Sequence, residues 1–346
     1  MKKNKVIVTG GCGYIGSHTA VALIENGFDV VIIDDLSNSD SVILSQIEKI
    51  TSFKPLFEKM DLKDIEATRA TFKRHEDAVA VIHFAAFKAV GESIQNPISY
   101  YKNNIFALIN TLESQIEAKI PRTIFSSSAT VYGEPETLPI SEEQQVKRPF
   151  SVYGNTKKIG EEILEDTVAS NDEFSAISLR YFNPIGAHDT SLIGELPNGV
   201  PNNLMPFITQ TAVGIRSELS VFGNDYNTKD GTPIRDYIHV VDLAIAHVRA
   251  LEYMLESEDR NFWEVFNLGT GKGVSVLEMI KAFESVTKKK LNYRIVDRRH
   301  GDVPQLYASS NLAERKLKWK ATKDLHEMIL SSWRWEQKFR ENSMKT

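Results

Sequence analysis

The sequence has little cysteine, since Cys12 is the only one in 346 residues. A single cysteine excludes an internal disulfide and a zinc site built from cysteines, and it fits a reducing compartment. The sequence also lacks the run of about 18 apolar residues that a membrane helix needs. The basic start, residues 1–5, precedes only three apolar residues before the first glycine, which is too short for a signal peptide. We therefore expect a cytoplasmic protein without a transmembrane helix.

An excess of basic residues is absent too. The chain has 41 Lys and Arg against 46 Asp and Glu, for a formal net charge of −5. This balance gives no indication of binding to nucleic acid or to an anionic membrane. A small anionic ligand stays compatible with it, because a phosphate site needs only local donors. No spacing of His, Asp and Glu suggests a metal site, so we predict no metal.

Short apolar runs alternate with amphipathic stretches through the first half of the chain. Runs rich in β-branched residues predict buried strands at 6–9, 30–34, 78–84, 123–127 and 175–180. Between them, helical periodicity predicts helices at 15–26, 62–74, 98–118 and 152–169. The alternation predicts an α/β fold with a Rossmann-like, doubly wound parallel sheet.

After about Phe182 the pattern changes to turn-rich segments, as expected of loops that surround a ligand. We therefore predict a first domain over residues 1–182 and a smaller C-terminal lobe over residues 183–346. An apolar-periodic stretch within 237–265 is expected to return to the first domain. No internal repeat or low-complexity tract is found.

A glycine motif, Gly10-x-x-Gly13-x-x-Gly16, follows the first predicted strand and opens the first predicted helix. Such glycines allow a tight turn and a close approach to a pyrophosphate, while the helix N-terminus supplies N–H groups. Asp34 ends the next strand, where an acidic residue binds the adenosine ribose and repels a 2′-phosphate. A lone glycine motif also fits a structural turn, but the register of strand, glycines, helix, strand and acid favours an NAD site.

A tyrosine and a lysine, Tyr153 and Lys157, lie four residues apart at the start of a predicted helix and therefore share one face. Tyrosine, with a pKa of about 10, is a poor base at neutral pH. A nearby ammonium and a bound nicotinamide cation both favour the phenolate. Ser128 ends a predicted strand, where doubly wound sheets bind their ligands. We predict Tyr153, Lys157 and Ser128 as catalytic residues; the Tyr–Lys pair alone would also fit an ordinary surface.

Seven motifs carry a specific resemblance, at residues 9–16, 83–93, 126–133, 153–157, 180–184, 201–206 and 235–240. In order and content they resemble the UDP-glucose 4-epimerase family, within the extended short-chain dehydrogenases/reductases. The resemblance implies reversible C4 epimerisation of UDP-galactose and UDP-glucose through a transient 4-keto sugar and enzyme-bound NADH. Tyr153 would take the O4 proton, and the keto sugar would rotate before the hydride returns.

The resemblance also implies which residues hold the ligands, with NAD in the 1–182 domain and the UDP-sugar in the 183–346 lobe. The cofactor would contact Gly10, Gly13, Tyr14, Ile15, Gly16, Asp34, Asp35, Asn38, Ser39, Asp61, Leu62, Phe84, Ala85, Lys88, Asn103, Ser128, Tyr153, Lys157 and Phe182. The substrate would contact Lys88, Ser128, Tyr153, Asn183, Asn203, Leu204, Phe222, Arg235, Arg299, Asp302 and Leu306. The guanidinium groups of Arg235 and Arg299 match phosphate oxygens.

Related sugar-nucleotide enzymes share the NAD site, so other reactions need separate treatment. Dehydratases and decarboxylases of this kind carry acidic residues just after the catalytic Ser or Thr, where this chain has Ala129 and Thr130. That difference favours epimerisation. The alternatives are an epimerase mainly for UDP-N-acetylhexosamines or UDP-uronic acids, and a catalytically silent NAD-binding regulatory protein. The intact Ser128, Tyr153 and Lys157 argue against the silent protein.

Two further expectations come from the resemblance. The position of Leu306 would lie beside the sugar C2, where tyrosine restricts a member to glucose and galactose and a small residue admits N-acetylated sugars. Leucine is neither, so we hypothesise partial use of UDP-GlcNAc and UDP-GalNAc; Leu306 could also merely fill the pocket, and a shift of one residue would place Tyr307 there instead.

Family members are usually homodimers through a four-helix bundle, to which the helices at 98–118 and 152–169 would correspond.

Overall fold

The computed structural model describes residues 3–197, 199–299 and 301–343, and in this part of the chain a seven-stranded parallel sheet forms the centre. The strands, in chain order, are β1 (Lys5–Thr9), β2 (Asp29–Asp34), β3 (Leu56–Lys59), β4 (Ala78–His83), β5 (Arg122–Ser128), β6 (Ser175–Tyr181), β7 (Asn183–Ile185), β8 (Leu219–Phe222), β9 (Ile234–His239), β10 (Trp263–Leu268), β11 (Gly273–Ser275), β12 (Tyr293–Val296) and β13 (Gln305–Leu306). The large sheet has the order β10-β6-β5-β4-β1-β2-β3.

Helices cover both faces of this sheet. They are α1 (Tyr14–Glu25), α2 (Val42–Thr51), α3 (Ile65–Arg74), α4 (Val90–Gln95), α5 (Pro97–Glu117), α6 (Val152–Ala169), α7 (Leu204–Ala212), α8 (Val240–Glu256), α9 (Val276–Thr287), α10 (Asn311–Lys316) and α11 (Leu325–Ser343), with a short 3₁₀ helix at Ala129–Tyr132. One layer is formed by α1, α2 and α8, and the other by α3, α5 and α6. The predicted doubly wound α/β fold is confirmed.

The inner strands β1, β2, β4, β5 and β6 are buried on both faces, which explains their nearly continuous apolar runs. Val6 and Ile32 pack on the side of α1 and α8, whereas their neighbours Ile7 and Val31 pack on the opposite side with Phe72. Each fully buried side chain of this size contributes about 1.5–3 kcal/mol relative to an exposed one. The two cores therefore stabilise the inner strands of the sheet from both faces.

The predicted elements agree with the structure to within three residues, and the largest difference has a local cause. Helix α3 starts at Ile65 rather than at residue 62, because the Asp64 side chain accepts a hydrogen bond from Ala67 N and caps the helix there. Within residues 1–182, the elements α2, β3 and α4 were not predicted. Strand β3 lies at the sheet edge and has exposed ends, so it lacks the apolar run that marks the other strands.

A smaller lobe has its own core, whereas α4 packs on α5 and α6, and α10 packs on β10 of the larger domain. Strands β7, β11 and β13 assemble around β9, and β8 pairs with β12. Helices α7, α9 and α11 pack on them through residues such as Ile208, Phe283 and Trp333. The chain returns to the larger domain between these elements, where α8 packs on α1 and β10 pairs with β6.

Candidate active site

The predicted site residues gather at one edge of the large sheet. Gly10 follows β1, Asp34 ends β2, Phe84 follows β4, Ser128 ends β5 and Phe182 follows β6. All these strands are parallel, so their carboxyl ends lie side by side. The order of the strands reverses between β1 and β4, which opens the crevice where folds of this kind bind a ligand.

The glycine loop packs closely against the loop after β4. Gly10 has φ +67°, and a methyl group on it would lie 2.8 Å from the backbone nitrogen of Ala85. Helix α1 begins after Gly13 with no side-chain cap and no acidic residue in its first turn. Its first N–H groups and the positive end of its dipole therefore face the crevice, as a dinucleotide phosphate requires.

Asp34 ties the glycine loop to the loop after β2. One carboxylate oxygen accepts a hydrogen bond from Cys12 N at 3.0 Å, and the other accepts from Leu36 N at 2.9 Å and Ser39 Oγ at 2.8 Å. The predicted contact of Asp34 with an adenosine ribose would add to these bonds. Asp35 accepts from its own loop, and Asn38 is exposed beside it.

The other residues predicted to bind the cofactor fall into separate groups. Asp61 and Asn103 are brought together by Lys63, whose Nζ lies 3.2 Å from Asp61 and 2.9 Å from Asn103. Lys88 lies instead beside Tyr14, its Nζ 5.8 Å from the ring centre. Leu62, Ile15 and Phe84 contribute apolar surface, since Leu62 is buried and the other two pack partly buried against the core.

The three predicted catalytic residues do come together. Tyr153 and Lys157 lie on the first turns of α6, which begins after Ser151, whose hydroxyl accepts from Gly154 N at 3.1 Å. Ser128 lies near enough to the Tyr153 hydroxyl to lower its pKa. Lys157 Nζ lies 5.8 Å from the centre of the Tyr153 ring. A base, a hydroxyl donor and an amine thus meet at the carboxyl end of β5.

Burial dominates the electrostatics of this trio. Burial raises the pKa of Tyr153 to about 12, and the nearby Ser128 hydroxyl opposes that rise. Burial lowers the pKa of Lys157 to about 7, and the negative charge of Glu161 opposes that fall. The phenol therefore needs positive charge nearby to act as a base, and Lys157 supplies it only while it holds its proton.

The residues predicted to bind the nucleotide form a second group on the smaller lobe. Arg235 donates from Nη2 to Asp302 at 3.1 Å, and the guanidinium of Arg299 lies 4.4 Å from the centre of the Phe222 ring. Asn203 precedes Leu204, the first residue of α7, and Asn183 is the first residue of β7. The smaller lobe thus offers two arginines and an aromatic ring, which are groups suited to a nucleotide diphosphate.

Leu306 lies between the end of β5, which carries Ser128, and Arg235, which is predicted to bind the nucleotide. Strand β13 pairs Leu306 with Arg235 of β9, and the Leu306 side chain packs with Ala129 and Phe182. The next side chain, that of Tyr307, points away toward Gly273, because successive side chains on a strand face opposite ways. The side chain beside the catalytic end of β5 is therefore leucine.

Among the residues that the structure describes, no group of three or more His, Cys, Asp and Glu could hold a metal ion. None of the helices in the same ranges is long and apolar enough to span a membrane. His83 and His239, which lie in apolar runs, are both buried; His83 bonds to Thr9 and His239 to Ser331.

Comparison with known proteins identifies the family. A family model described as GDP-mannose 4,6 dehydratase matches residues 7–331. The UDP-glucose 4-epimerase of Bacillus subtilis is 50% identical over 331 residues, which cover 96% of each chain. The chain belongs to the UDP-glucose 4-epimerase family.

Solved structures of epimerases share the whole architecture. The Stenotrophomonas maltophila UDP-glucose-4-epimerase, with bound NAD and formylated UDP-arabinopyranose, has a TM-score of 0.94 at 44% identity and covers 99% of this chain and 100% of its own. The Bifidobacterium longum enzyme, in complex with NAD+ and UDP, has a TM-score of 0.93 at 42% identity, with coverage of 97% and 98%. The predicted resemblance to epimerases is confirmed, and the alternative functions are not favoured.

Several polar residues of this epimerase family member were missed in the sequence. Thr130 donates from Oγ1 to Ser128 at 3.0 Å. Glu195 accepts from Lys88 at 3.0 Å and from Asn203 at 2.6 Å, so it joins a predicted cofactor residue to a predicted nucleotide residue. Glu161 lies behind Lys157. Its position four residues after Lys157 was a usable signal, whereas nothing local marked Glu195.

Proposed function

We propose that this chain interconverts UDP-galactose and UDP-glucose by inverting C4, with NAD as its bound cofactor. The observation that carries the proposal is the grouping of Ser128, Tyr153 and Lys157 at the same edge of the sheet as the glycine loop. Family membership supports the same reaction. We also propose a cytoplasmic location, which the single cysteine suits.

The reaction assigns one task to each member of the trio. Tyr153, as a phenolate, takes the proton from O4 while Ser128 bonds to the same sugar oxygen. Lys157 stabilises the phenolate through its positive charge. Bound NAD supplies a reversible acceptor for the C4 hydride. The 4-keto sugar would rotate in the site until C4 presents its opposite face, and Tyr153 would return the proton to O4 as the hydride returns to C4.

The larger domain would bind the cofactor, and the smaller lobe would bind the UDP group of the substrate. The glycine loop, Asp34 and Lys88 would hold the cofactor on the larger domain, residues 1–182 together with α8 and β10. Arg235 and Arg299 would grip the UDP diphosphate on the smaller lobe. Firm binding of the nucleotide with looser contact around the sugar lets the keto sugar rotate without leaving.

The first experiment uses purified protein and UDP-galactose without added NAD, followed by the anomeric proton signals in NMR. We expect UDP-glucose to appear, and Tyr153→Phe to lower the rate by about 10²–10⁴-fold because the acid–base group is lost. Tyr293→Phe, at an exposed position on β12, is the matched control and should keep full activity. No turnover by the wild type, even after NAD is supplied, would refute the proposal.

Sugar range depends on the side chain at position 306. Leu306 is smaller than tyrosine and offers no hydroxyl, so we propose that UDP-GalNAc is also used in part. Leu306→Tyr should then lower the activity on UDP-GalNAc relative to UDP-galactose. An unchanged ratio of the two rates would leave Leu306 as a residue that only fills the pocket.

We further propose a homodimer through α5 and α6. Helix α5 exposes Ile98 by 65%, Phe106 by 52%, Ile109 by 41% and Ile116 by 39%, and apolar side chains clustered in this way on a surface mark an interface. Light scattering should give twice the chain mass for the wild type and for an Ile295→Glu control on β12. Phe106→Glu should give a monomer; a monomeric wild type would contradict the proposal.

A further inference from the structure

A buried carboxylate, Glu161, lies one helical turn after Lys157 on α6. The two residues are four apart, so both side chains leave the same face of the helix. Glu161 Oε1 accepts from Ser127 Oγ at 2.6 Å and from Arg180 Nε at 2.9 Å. Its other oxygen accepts from Arg180 Nη2 at 2.6 Å. The carboxylate is thus held in one orientation from two strands, β5 and β6.

Arg180 is itself fixed from the far side. Its Nη1 donates to the Tyr132 hydroxyl at 2.9 Å, and that hydroxyl donates to Asn267 Oδ1 at 2.7 Å. Glu161 and Arg180 are almost fully buried. A buried ion pair of this kind is no more stable than apolar side chains of the same volume, so stability alone does not account for it.

The titratable and charged groups around Lys157 indicate how the Glu161–Arg180 ion pair affects its protonation. Tyr153 and Glu161 face Lys157 from its own helix, His83 faces it from β4, and Arg180 lies beyond Glu161 on β6. Tyr100 from α5 and Tyr181 from β6 interact with Tyr153. Burial lowers the pKa of His83 to about 3, so its ring is neutral. Glu161 is therefore the carboxylate that opposes the effect of burial on the pKa of Lys157.

We propose that Glu161 is a positioning residue of the epimerase reaction, whose fixed carboxylate keeps Lys157 protonated so that Tyr153 can act as the base. Arg180 acts through Glu161 by donating to both of its oxygens. The inference rests on the proposed function and deepens it, because it assigns the charge state of the trio to a residue that contacts neither ligand.

The test is the pH profile of kcat for UDP-galactose, measured on the NAD-loaded enzyme. Glu161→Gln keeps the shape but removes the charge, so Lys157 should lose its proton at lower pH. We expect the alkaline fall of kcat to move to lower pH, and activity at pH 7 to drop several-fold, because less of Lys157 keeps its proton without the Glu161 charge. Ser127→Ala is the matched control: it removes one hydrogen bond to Glu161, keeps the charge and should leave the profile in place.

Three results would overturn the proposal, and a fourth would refute the proposed function. A Glu161→Gln profile that superimposes on the wild type overturns the proposal, and so does an equal shift in Ser127→Ala. If Glu161→Gln does not fold because Arg180 is left unpaired, the double variant E161Q/R180Q removes both charges. It should still show a downward shift, smaller because the loss of the more distant Arg180 charge partly offsets the loss of the Glu161 charge; an absent shift overturns the proposal. Failure of the wild type to epimerise UDP-galactose would instead refute the proposed function.

Discussion

Gly160 on α6 offers a test in which two known effects oppose each other. A methyl group there would lie 2.6 Å from Phe125 Cζ and 3.1 Å from Leu108 Cδ2, and both side chains are buried. Replacing a helical glycine by alanine stabilises a helix by about 1 kcal/mol. Overpacking a core by one methyl group costs about 1–3 kcal/mol. We expect the packing cost to win, so that Gly160→Ala lowers the free energy of unfolding by about 1 kcal/mol.

The same substitution should also disturb the active site. The Phe125 ring stacks on His83 at 6.2 Å and lies 4.9 Å from Lys157 Nζ. A methyl group at Gly160 would displace this ring. The displaced ring would in turn shift the Lys157 amine, which packs against it. The rate of epimerisation should therefore fall in a protein that remains folded.

Urea denaturation followed by circular dichroism measures the first effect. Gly91→Ala is the matched control, because Gly91 is helical, exposed and has no atom within 4 Å of the added methyl group. That variant should be as stable as the wild type or more stable, by up to about 1 kcal/mol. The reasoning would be refuted if Gly160→Ala were stabilised as much as Gly91→Ala.

Three other predictions follow from single features. Gly16→Ala places a methyl group against Gly10 O, so the protein should retain much less NAD on purification; an unchanged NAD content after acid release would contradict this. Ser151→Ala removes the cap on Gly154 N and should cost about 1 kcal/mol in urea denaturation, whereas no loss would argue against the cap. Burial lowers the pKa of four histidines to about 3 or 4, from about 6.5 when unfolded: His18, His83, His239 and His247. The unfolded state therefore binds more protons below pH 6.5, and the free energy of unfolding should fall as pH drops from 6.5 toward 4, by up to about 1.4 kcal/mol per pH unit for each histidine; equal values at pH 7.5 and 5.5 would exclude this.

Much of the fold could be predicted because its signals are local. Buried parallel strands show as apolar runs, and the helices between them show as 3.6-residue periodicity. The glycine motif and the spacing of Tyr153 and Lys157 each lie within a few residues of chain. The start of α3 was misplaced by three residues because the capping role of Asp64 was overlooked, although aspartate is a common cap. Strand β3 gave no signal, since an edge strand with exposed ends does not need an apolar run.

The sequence by itself thus determined the alternating architecture, the family, and the residue types of the cofactor loop and the catalytic trio. The tertiary structure decided which distant polar groups meet: Glu161 with Arg180, and Glu195 with both Lys88 and Asn203. It also decided that Leu306 rather than Tyr307 faces Ala129, through the pairing of β13 with β9. A charged side chain has many possible partners in a sequence, and a strand can shift by one residue without changing its composition. Only packing, which makes an unpaired buried charge or a displaced apolar side chain costly, selects one partner and one register.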